Sequence, residues 1–340
     1  VSRALPELLH GLPGGAKRVG KIGFGAVVNA AAVARRVDLD LGNAVLVLGT
    51  GRSGTTLLLE ILGQTPGAMP VYEPLRPSQD PRAAHLLPPD GFVTRDPAAA
   101  DPALARLWQT VLEGRHLTWW SASQMSRRQW WRADHVVAKE IRANRLAGWL
   151  QRTFPETRQV VIVRHPCAVV ASMQAAPGVW NDWTHDDVVA PLRDHWPTDV
   201  LARAGPDAGR DAWLAAFWAA DTAAALGQTT PDHTLVVTFE DLVLRPAEVI
   251  EAVFAHLRRP IPPGAIDQAR RPSATANPDA AVRGARDPLA EWTRRLDPDR
   301  ARTVLDVVTA FGITAYGDGL EPDTAALAAR RAPPPLDPTA

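Results

Sequence analysis

A single cysteine, Cys167, stands among 340 residues. It has no partner within the chain, so no disulfide framework can hold this fold, a usage that fits a reducing cytosol. No Cys/His run has zinc spacing either. His185-Asp186-Asp187 and Asp194-His195 look metal-like only by composition and read as polar helix or loop residues, so no metal is expected. Net charge is also missing: 37 Lys and Arg balance 37 Asp and Glu, leaving no overall field that draws nucleic acid or an anionic membrane. No apolar run reaches the roughly 20 residues of a membrane-crossing helix. The segment Ile22 to Ala34 carries Asn29 and is flanked by Lys17, Arg18, Lys21 and Arg35-Arg36. Its charge order and the Ala32-Val33-Ala34 pattern resemble a signal peptide. Its late position favours an amphipathic or packing helix, with membrane-surface contact as the alternative. No internal repeat is apparent.

What is present begins with Gly49-Thr50-Gly51-Arg52-Ser53-Gly54-Thr55-Thr56, between the apolar runs Ala44–Leu48 and Leu57–Leu62. That order predicts a buried strand, a tight glycine loop and a helix. Such a loop turns backbone N–H groups toward one point at the positive end of a helix, an anion cradle for phosphate or sulfate. The spacing from Gly49 through Gly54 to Thr56 nearly matches G-x-x-x-x-G-K-[ST]. Thr55 occupies the lysine position, however, and that lysine is what reaches the β- and γ-phosphates of a nucleoside triphosphate. Arg52 is the cation the loop offers instead, a planar fork of donors suited to an oxyanion.

A second segment, Gln159-Val160-Val161-Ile162-Val163, reads as a β-branched strand ending in Arg164-His165-Pro166, with Ser172 eight residues after Arg164 on helix-like sequence. An NTPase strand in this place often ends in a magnesium-binding aspartate. An arginine and a hydroxyl suit a second, metal-free phosphate.

Together, Arg52-Ser53-Gly54-Thr55-Thr56 and Arg164…Ser172 resemble the paired nucleotide motifs of sulfotransferases that use 3′-phosphoadenosine 5′-phosphosulfate (PAPS), over roughly residues 44 to 317. Within that family the chain is most similar to the carbohydrate 6-O-sulfotransferases and the tyrosylprotein sulfotransferases. Tyr72-Glu73-Pro74 resembles the aromatic-Glu-Pro segment of the carbohydrate enzymes, and Lys139-Glu140-Ile141-Arg142 resembles their Lys-Glu-Val-Arg segment. Val237 to Leu242 looks like the family's late strand-to-helix junction, and Trp292 like the opening of its C-terminal helix. The resemblance implies PAPS as sulfonate donor. Gly51, Arg52, Ser53, Gly54, Thr55 and Thr56 would hold the 5′-phosphosulfate, and Arg164 and Ser172 the 3′-phosphate, with Arg283 and Gly284 as further 3′-phosphate contacts.

Sulfonate transfer sets its own demands. A carboxylate should take the acceptor proton, and Glu73 is the candidate, with Glu140 as a competing base or a structural ion-pair partner. A cation should stabilise the charge that builds on the leaving oxygen, and Lys139 and Arg52 are the candidates. Lys139 has an alternative as a residue snorkelling from a strand end. If Val136 to Ala138 form a strand, Lys139 and Glu140 point to opposite faces. Ser273 is a candidate to close over the sulfonate, with Thr275 as its rival. Two tryptophan groups, 108/119/120/130/131 and 180/183/196, could line an acceptor cleft or fill a helical core, while Trp213 and Trp218 read as core residues of a helix from Asp211 to Leu226. Residues 80–102, rich in Pro and Asp, suggest a long surface loop or lid. Cys167 follows Pro166 near a helix start and reads as a small buried side chain, with a lowered thiol pKa as the alternative.

The expected fold is α/β and P-loop NTPase-like: a central parallel sheet flanked by helices, with helical insertions. Residues 1–43 form an N-terminal helical extension, 44–320 the sulfotransferase domain and 321–340 a flexible Ala/Pro/Arg-rich tail. The expected acceptor is a sugar hydroxyl on a glycan, glycolipid or glycosylated metabolite. A phenol or peptide tyrosine is the close competitor. A P-loop kinase and a catalytically silent nucleotide-binding module are the other classes.

Overall fold

A computed structural model describes residue 23 and residues 39–176, 179–275 and 287–329. Five strands form one parallel sheet in the order β2-β3-β1-β4-β5: β1 Val45–Leu48, β2 Ala68–Tyr72, β3 His135–Glu140, β4 Arg158–Val163 and β5 Thr234–Thr238. The apolar runs are continuous because both sheet faces are covered. Leu46, Leu48, Val161 and Val163 point into one core, while Val45, Val47, Val160 and Ile162 point into the other. Helix α1, Thr55–Leu62, lies on the second face. Helix α2, Pro166–Ala175, and the long helix α3, Gly209–Gly227, lie on the first. Helix α4, Pro246–His256, returns to the second face, and α5, Pro298–Ala310, to the first. The P-loop-like α/β architecture with helical insertions is therefore present.

The central strand β1 has β3 on one side and β4 on the other. Its carboxyl end is thus the point where the strand order reverses, the place where open α/β sheets build ligand crevices. The glycine loop leaves β1 there. Gly49 has φ 148°, and a Cβ on it would lie 2.4 Å from the Ile162 carbonyl oxygen. Gly54 caps α1 with φ 96°, and a Cβ there would meet the Phe239 ring at 2.6 Å. Both positions need glycine for conformation and for close packing.

Several sequence expectations change on contact with tertiary structure. The stretch 80–102 is not one long loop: Asp80 caps a helix, Pro81–Leu86, and is buried against His116 at 2.6 Å. Further on, Ala99 accepts a hydrogen bond from the Trp149 indole. Trp108 is wholly buried core, and Trp196 packs on Phe311. Trp218 is core as expected, whereas Trp213 stays half-buried. Trp292 sits in a 3₁₀ turn, Glu291–Arg294, before α5 rather than opening it. Cys167 is buried, and burial pushes its thiol up to about 12, the reverse of an activated nucleophile. His185 and Asp186 contact one another while Thr184 and Asp187 form a capping box, so these polar residues terminate a short helix. Within the segment expected as a tail, Thr324–Ala328 is helical and buries Leu327. Residues 330–340, residues 1–22 and 24–38, Arg283 and Gly284 lie outside the described residues. No helix among the described residues is long and apolar enough to cross a membrane.

Candidate active site

A cleft of about 1010 Å³ opens over the carboxyl ends of the strands. Gly51, Arg52, Gly54, Thr55 and Thr56 line it from the glycine loop, Glu73 from the end of β2, and Lys139 from β3. Arg164 enters from the end of β4, Ser172 from α2, and Ser273 with Thr275 from the late loop. Ser53 is buried within the glycine loop, and its Oγ has no hydrogen-bond partner among the described residues.

The two phosphate-type motifs touch. Arg52 takes φ 73°, which swings its side chain out of the loop toward α2. There its Nε donates to Ser172 Oγ at 3.0 Å and its Nη1 to the Thr275 carbonyl at 3.1 Å. Arg164 donates to the Arg52 carbonyl at 3.1 Å and the Pro288 carbonyl at 3.2 Å, and lies over the Phe239 ring. Burial lowers both guanidinium pKa values, that of Arg164 to about 10. Neither arginine meets a carboxylate among the described residues. Behind them, Glu240 accepts from the His165 backbone N–H at 2.9 Å, and burial raises its carboxyl to about 7. His165 accepts through Nδ1 from the Cys167 N–H and donates through Nε2 to the Gly317 carbonyl, which fixes a neutral ring stacked on Trp292. Burial, with Arg164 beside it, keeps that ring at about 4.

The β2–β3 side is built differently. Tyr72 pairs with Lys139 in the sheet register, and the Glu73 N–H donates to the Lys139 carbonyl at 2.7 Å. Glu73 takes φ 43°, a left-handed conformation that is strained for a glutamate. Its two carboxylate oxygens face Lys139 Nζ at 2.6 Å and Arg142 Nη1 at 3.2 Å. Burial alone would raise this carboxyl, but the two cations overcome it and hold Glu73 well below the usual range. Glu140 is fully buried and does not line the cleft. Its oxygens accept from the Leu75 N–H at 2.7 Å and the Arg142 N–H at 3.0 Å. It clamps the turn after β2 to the turn after β3. Lys139, desolvated and lowered, sits 4.3 Å from the Tyr72 ring centroid.

Arg142 was legible only as part of a motif; its bridging of Glu73, Glu140 and the Asp90 carbonyl was not. Arg76 and Phe92 also line the cleft without any local sequence signal, and Phe239 joins them from the strand-to-helix junction at Val237 to Leu242. Lys139 carried a signal that composition alone offers: outside residues 17–21 it is the only lysine in a chain whose other cations are arginines. Trp120, Trp180 and Trp183 line the cleft, while Trp131 is exposed away from it. Trp180 lies so close to Gly51 that a Cβ there would meet its ring at 2.8 Å.

Fold and site define an α/β protein with a lysine-free P-loop-like anion cradle at the switch point of a parallel sheet. Residues 44–263 match the model of the sulfotransferase family, well over half of the chain, and the chain belongs to that family. Among solved structures it is similar to the sulfotransferase domain of the Synechococcus PCC 7002 olefin synthase, with 18% identity and a TM-score of 0.45 over 81% of this chain and 95% of that one. It is likewise similar to the sulfotransferase STF9 of Mycobacterium avium, with 15% identity and a TM-score of 0.45 over 92% and 88%. The mouse sulfotransferase SULT7A1 complexed with PAP aligns at 11% identity and a TM-score of 0.42 over 83% and 89%. No curated protein matches the chain.

Proposed function

We propose that this protein transfers a sulfonate from PAPS to an acceptor hydroxyl on a carbohydrate or glycosylated molecule, with Glu73 as the base. One observation carries the donor reading. The buried cations Lys139, Arg142 and Arg145 each pair with a carboxylate, whereas Arg52 and Arg164, half-buried at the switch point, have none in ion-pair range among the described residues, Glu240 acting on Arg164 only from farther off. Partly desolvated guanidinium groups without a contacting carboxylate favour a polyanion. Ser53 Oγ, without a partner beside the backbone N–H groups of the cradle, adds a donor. In this reading Gly51 to Thr56 hold the 5′-phosphosulfate, Arg164 and Ser172 the 3′-phosphate, and Ser273 approaches from the late loop. Arg283 and Gly284 remain candidate 3′-phosphate contacts. PAPS supplies the activated sulfonate and needs no metal here.

The chain's own residues then divide the work. As the acceptor oxygen bonds to sulfur, the bond from sulfur to the 5′-phosphate oxygen breaks, adenosine 3′,5′-bisphosphate leaves, and Glu73 takes the acceptor proton. Paired with two cations, Glu73 is a weak base. Lys139 is held by Glu73 Oε1 and faces Tyr72, which in turn interacts with Thr56 at the start of α1. A shift of Lys139 toward the leaving oxygen serves both ends, because it neutralises charge building there and raises the basicity of the carboxylate it leaves. Arg142 keeps Glu73 in place meanwhile. The sugar preference rests on the Tyr72-Glu73-Pro74 and Lys139-Glu140-Ile141-Arg142 resemblance. Aromatic walls formed by Trp120, Trp180 and Trp183 suit a sugar face.

Calorimetric titration with adenosine 3′,5′-bisphosphate, against 5′-AMP and Mg-ATP, tests the donor reading. Tight, metal-independent binding that requires the 3′-phosphate is expected. Preference for Mg-ATP, or equal affinity for 5′-AMP, overturns it.

A further inference from the structure

We infer that Arg76 forms an anion subsite for the acceptor, so that the molecule sulfonated here carries a carboxylate or another oxyanion near its reactive hydroxyl. The inference rests on the functional reading above and names the acceptor's chemistry. Arg76 follows Glu73 by three residues, is half-buried and lines the cleft. Its guanidinium lies 4.2 Å from the Trp120 ring centroid, and its Nε donates to Ser78 Oγ at 3.3 Å. Contact with the indole holds the guanidinium over the ring, and among the described residues the one hydrogen bond of its fork is that from Nε. The other cations on this flank are satisfied: Lys139 and Arg142 face Glu73, and Arg142 also faces Glu140. Arg76 has no carboxylate in ion-pair range among the described residues.

The donor does not account for it. Arg76 lies on the turn beyond β2, and the β2 axis is two strands from β1 and three from β4, roughly 10 and 14 Å at ordinary strand spacing. Arg76 contacts Trp120, Trp120 packs edge to face on Tyr72 at 5.4 Å, and it is Tyr72 that interacts with Thr56 of the glycine loop. Glu73 lies on the same turn as Arg76, so an anion held by Arg76 belongs to the molecule whose hydroxyl Glu73 deprotonates.

The test uses a matched pair, 4-nitrophenyl β-D-glucuronide and 4-nitrophenyl β-D-glucoside, which differ in one carboxylate. Each is titrated into the whole protein by calorimetry, with and without saturating adenosine 3′,5′-bisphosphate. The glucuronide is expected to bind about tenfold or more tightly than the glucoside, the scale of one hydrogen bond between charged groups. Arg76→Ala should erase that ratio and Arg76→Lys should keep part of it, while bisphosphate affinity stays within about twofold. Equal binding of the two glycosides by the unaltered protein, undetectable binding of both included, overturns the subsite. So does a ratio that survives Arg76→Ala, or a parallel loss of bisphosphate affinity in that variant. The glycoside ratio reports on Arg76 and the bisphosphate affinity of the unaltered protein on the donor reading, so the two fail separately.

Discussion

The two flanks of the cleft treat their cations in opposite ways. On the β1–β4 side, Arg52 and Arg164 donate to carbonyls and to a serine hydroxyl; neither has a carboxylate in ion-pair range among the described residues, and Glu240 acts on Arg164 only from farther off. On the β2–β3 side, Lys139 and Arg142 are locked to Glu73 and Glu140 within 2.6 to 3.4 Å. A half-buried guanidinium without counter-charge keeps its attraction for an incoming anion. A paired cation spends that attraction on holding a carboxylate ionised and in place. The first arrangement suits binding of a charged donor and the second suits proton chemistry beside it. Arg76 is the exception on the second flank, which is why it points to charge on the acceptor.

The comparison breaks most sharply at Arg164. Arg164→Ala should weaken adenosine 3′,5′-bisphosphate binding by about 10²-fold or more, the scale of losing one member of a desolvated charge pair. Unchanged affinity by calorimetry would erase the distinction between the flanks. The second effect separates the two glutamates. Glu73→Gln should slow turnover by about 10²-fold or more, as for a positioned base, with bisphosphate affinity kept. Glu140→Gln leaves Arg142 with less counter-charge in a buried network and should lower the unfolding temperature more than Glu73→Gln does. If Glu140→Gln is instead the slow but stable variant, the two roles are exchanged.

The smallest effect is a pH slope. Glu240 and Asp221 are buried and raised, to about 7 and about 6. A carboxyl raised in the folded state gives its stabilising contribution below its unfolded value, near 4, and loses it as pH rises through the folded value. Above about pH 6.5, where the lowered histidines such as His165 no longer add a slope of opposite sign, the unfolding temperature should therefore fall up to about pH 8. Glu240→Gln should flatten the fall, since the amide oxygen can still accept from the His165 N–H. Glu73 has the opposite sign. Depressed in the folded protein, it stabilises above its unfolded value and loses that contribution only as pH falls below about 4. An unfolding temperature that is flat from about pH 6.5 to 8 in the unaltered protein would mean that Glu240 stays ionised, with Arg164 acting on it.

Much of this architecture could be read from local sequence. Strand β1, the glycine loop, α1, β4 and α2 are short-range patterns, in which apolar runs, glycines and a proline act within a few residues of one another. Both phosphate-type motifs were legible for the same reason. Burial of the tryptophans was not, because an indole at helical spacing reads alike whether it lines a cleft, as Trp183 does, or fills a core, as Trp108 does. The segment 80–102 looked like a loop because its Pro and Asp content is local, whereas the Asp80–His116 contact that pins it spans 36 residues.

The choice between Glu73 and Glu140 marks the boundary most clearly. Sequence determined that a carboxylate follows β2, that a cation and a second carboxylate stand together at Lys139-Glu140, that the loop after β1 lacks a triphosphate-reaching lysine, and that an arginine follows β4. Tertiary structure alone decided which carboxylate faces the cleft. Strand pairing sets Tyr72 beside Lys139 and carries Glu73 over the lysine, while the Leu75 and Arg142 N–H groups draw Glu140 into the wall. Those partners lie 65 or more residues apart in two of the three cases, and ion-pair energy in a desolvated cleft depends on distance in space, which the order of residues does not contain.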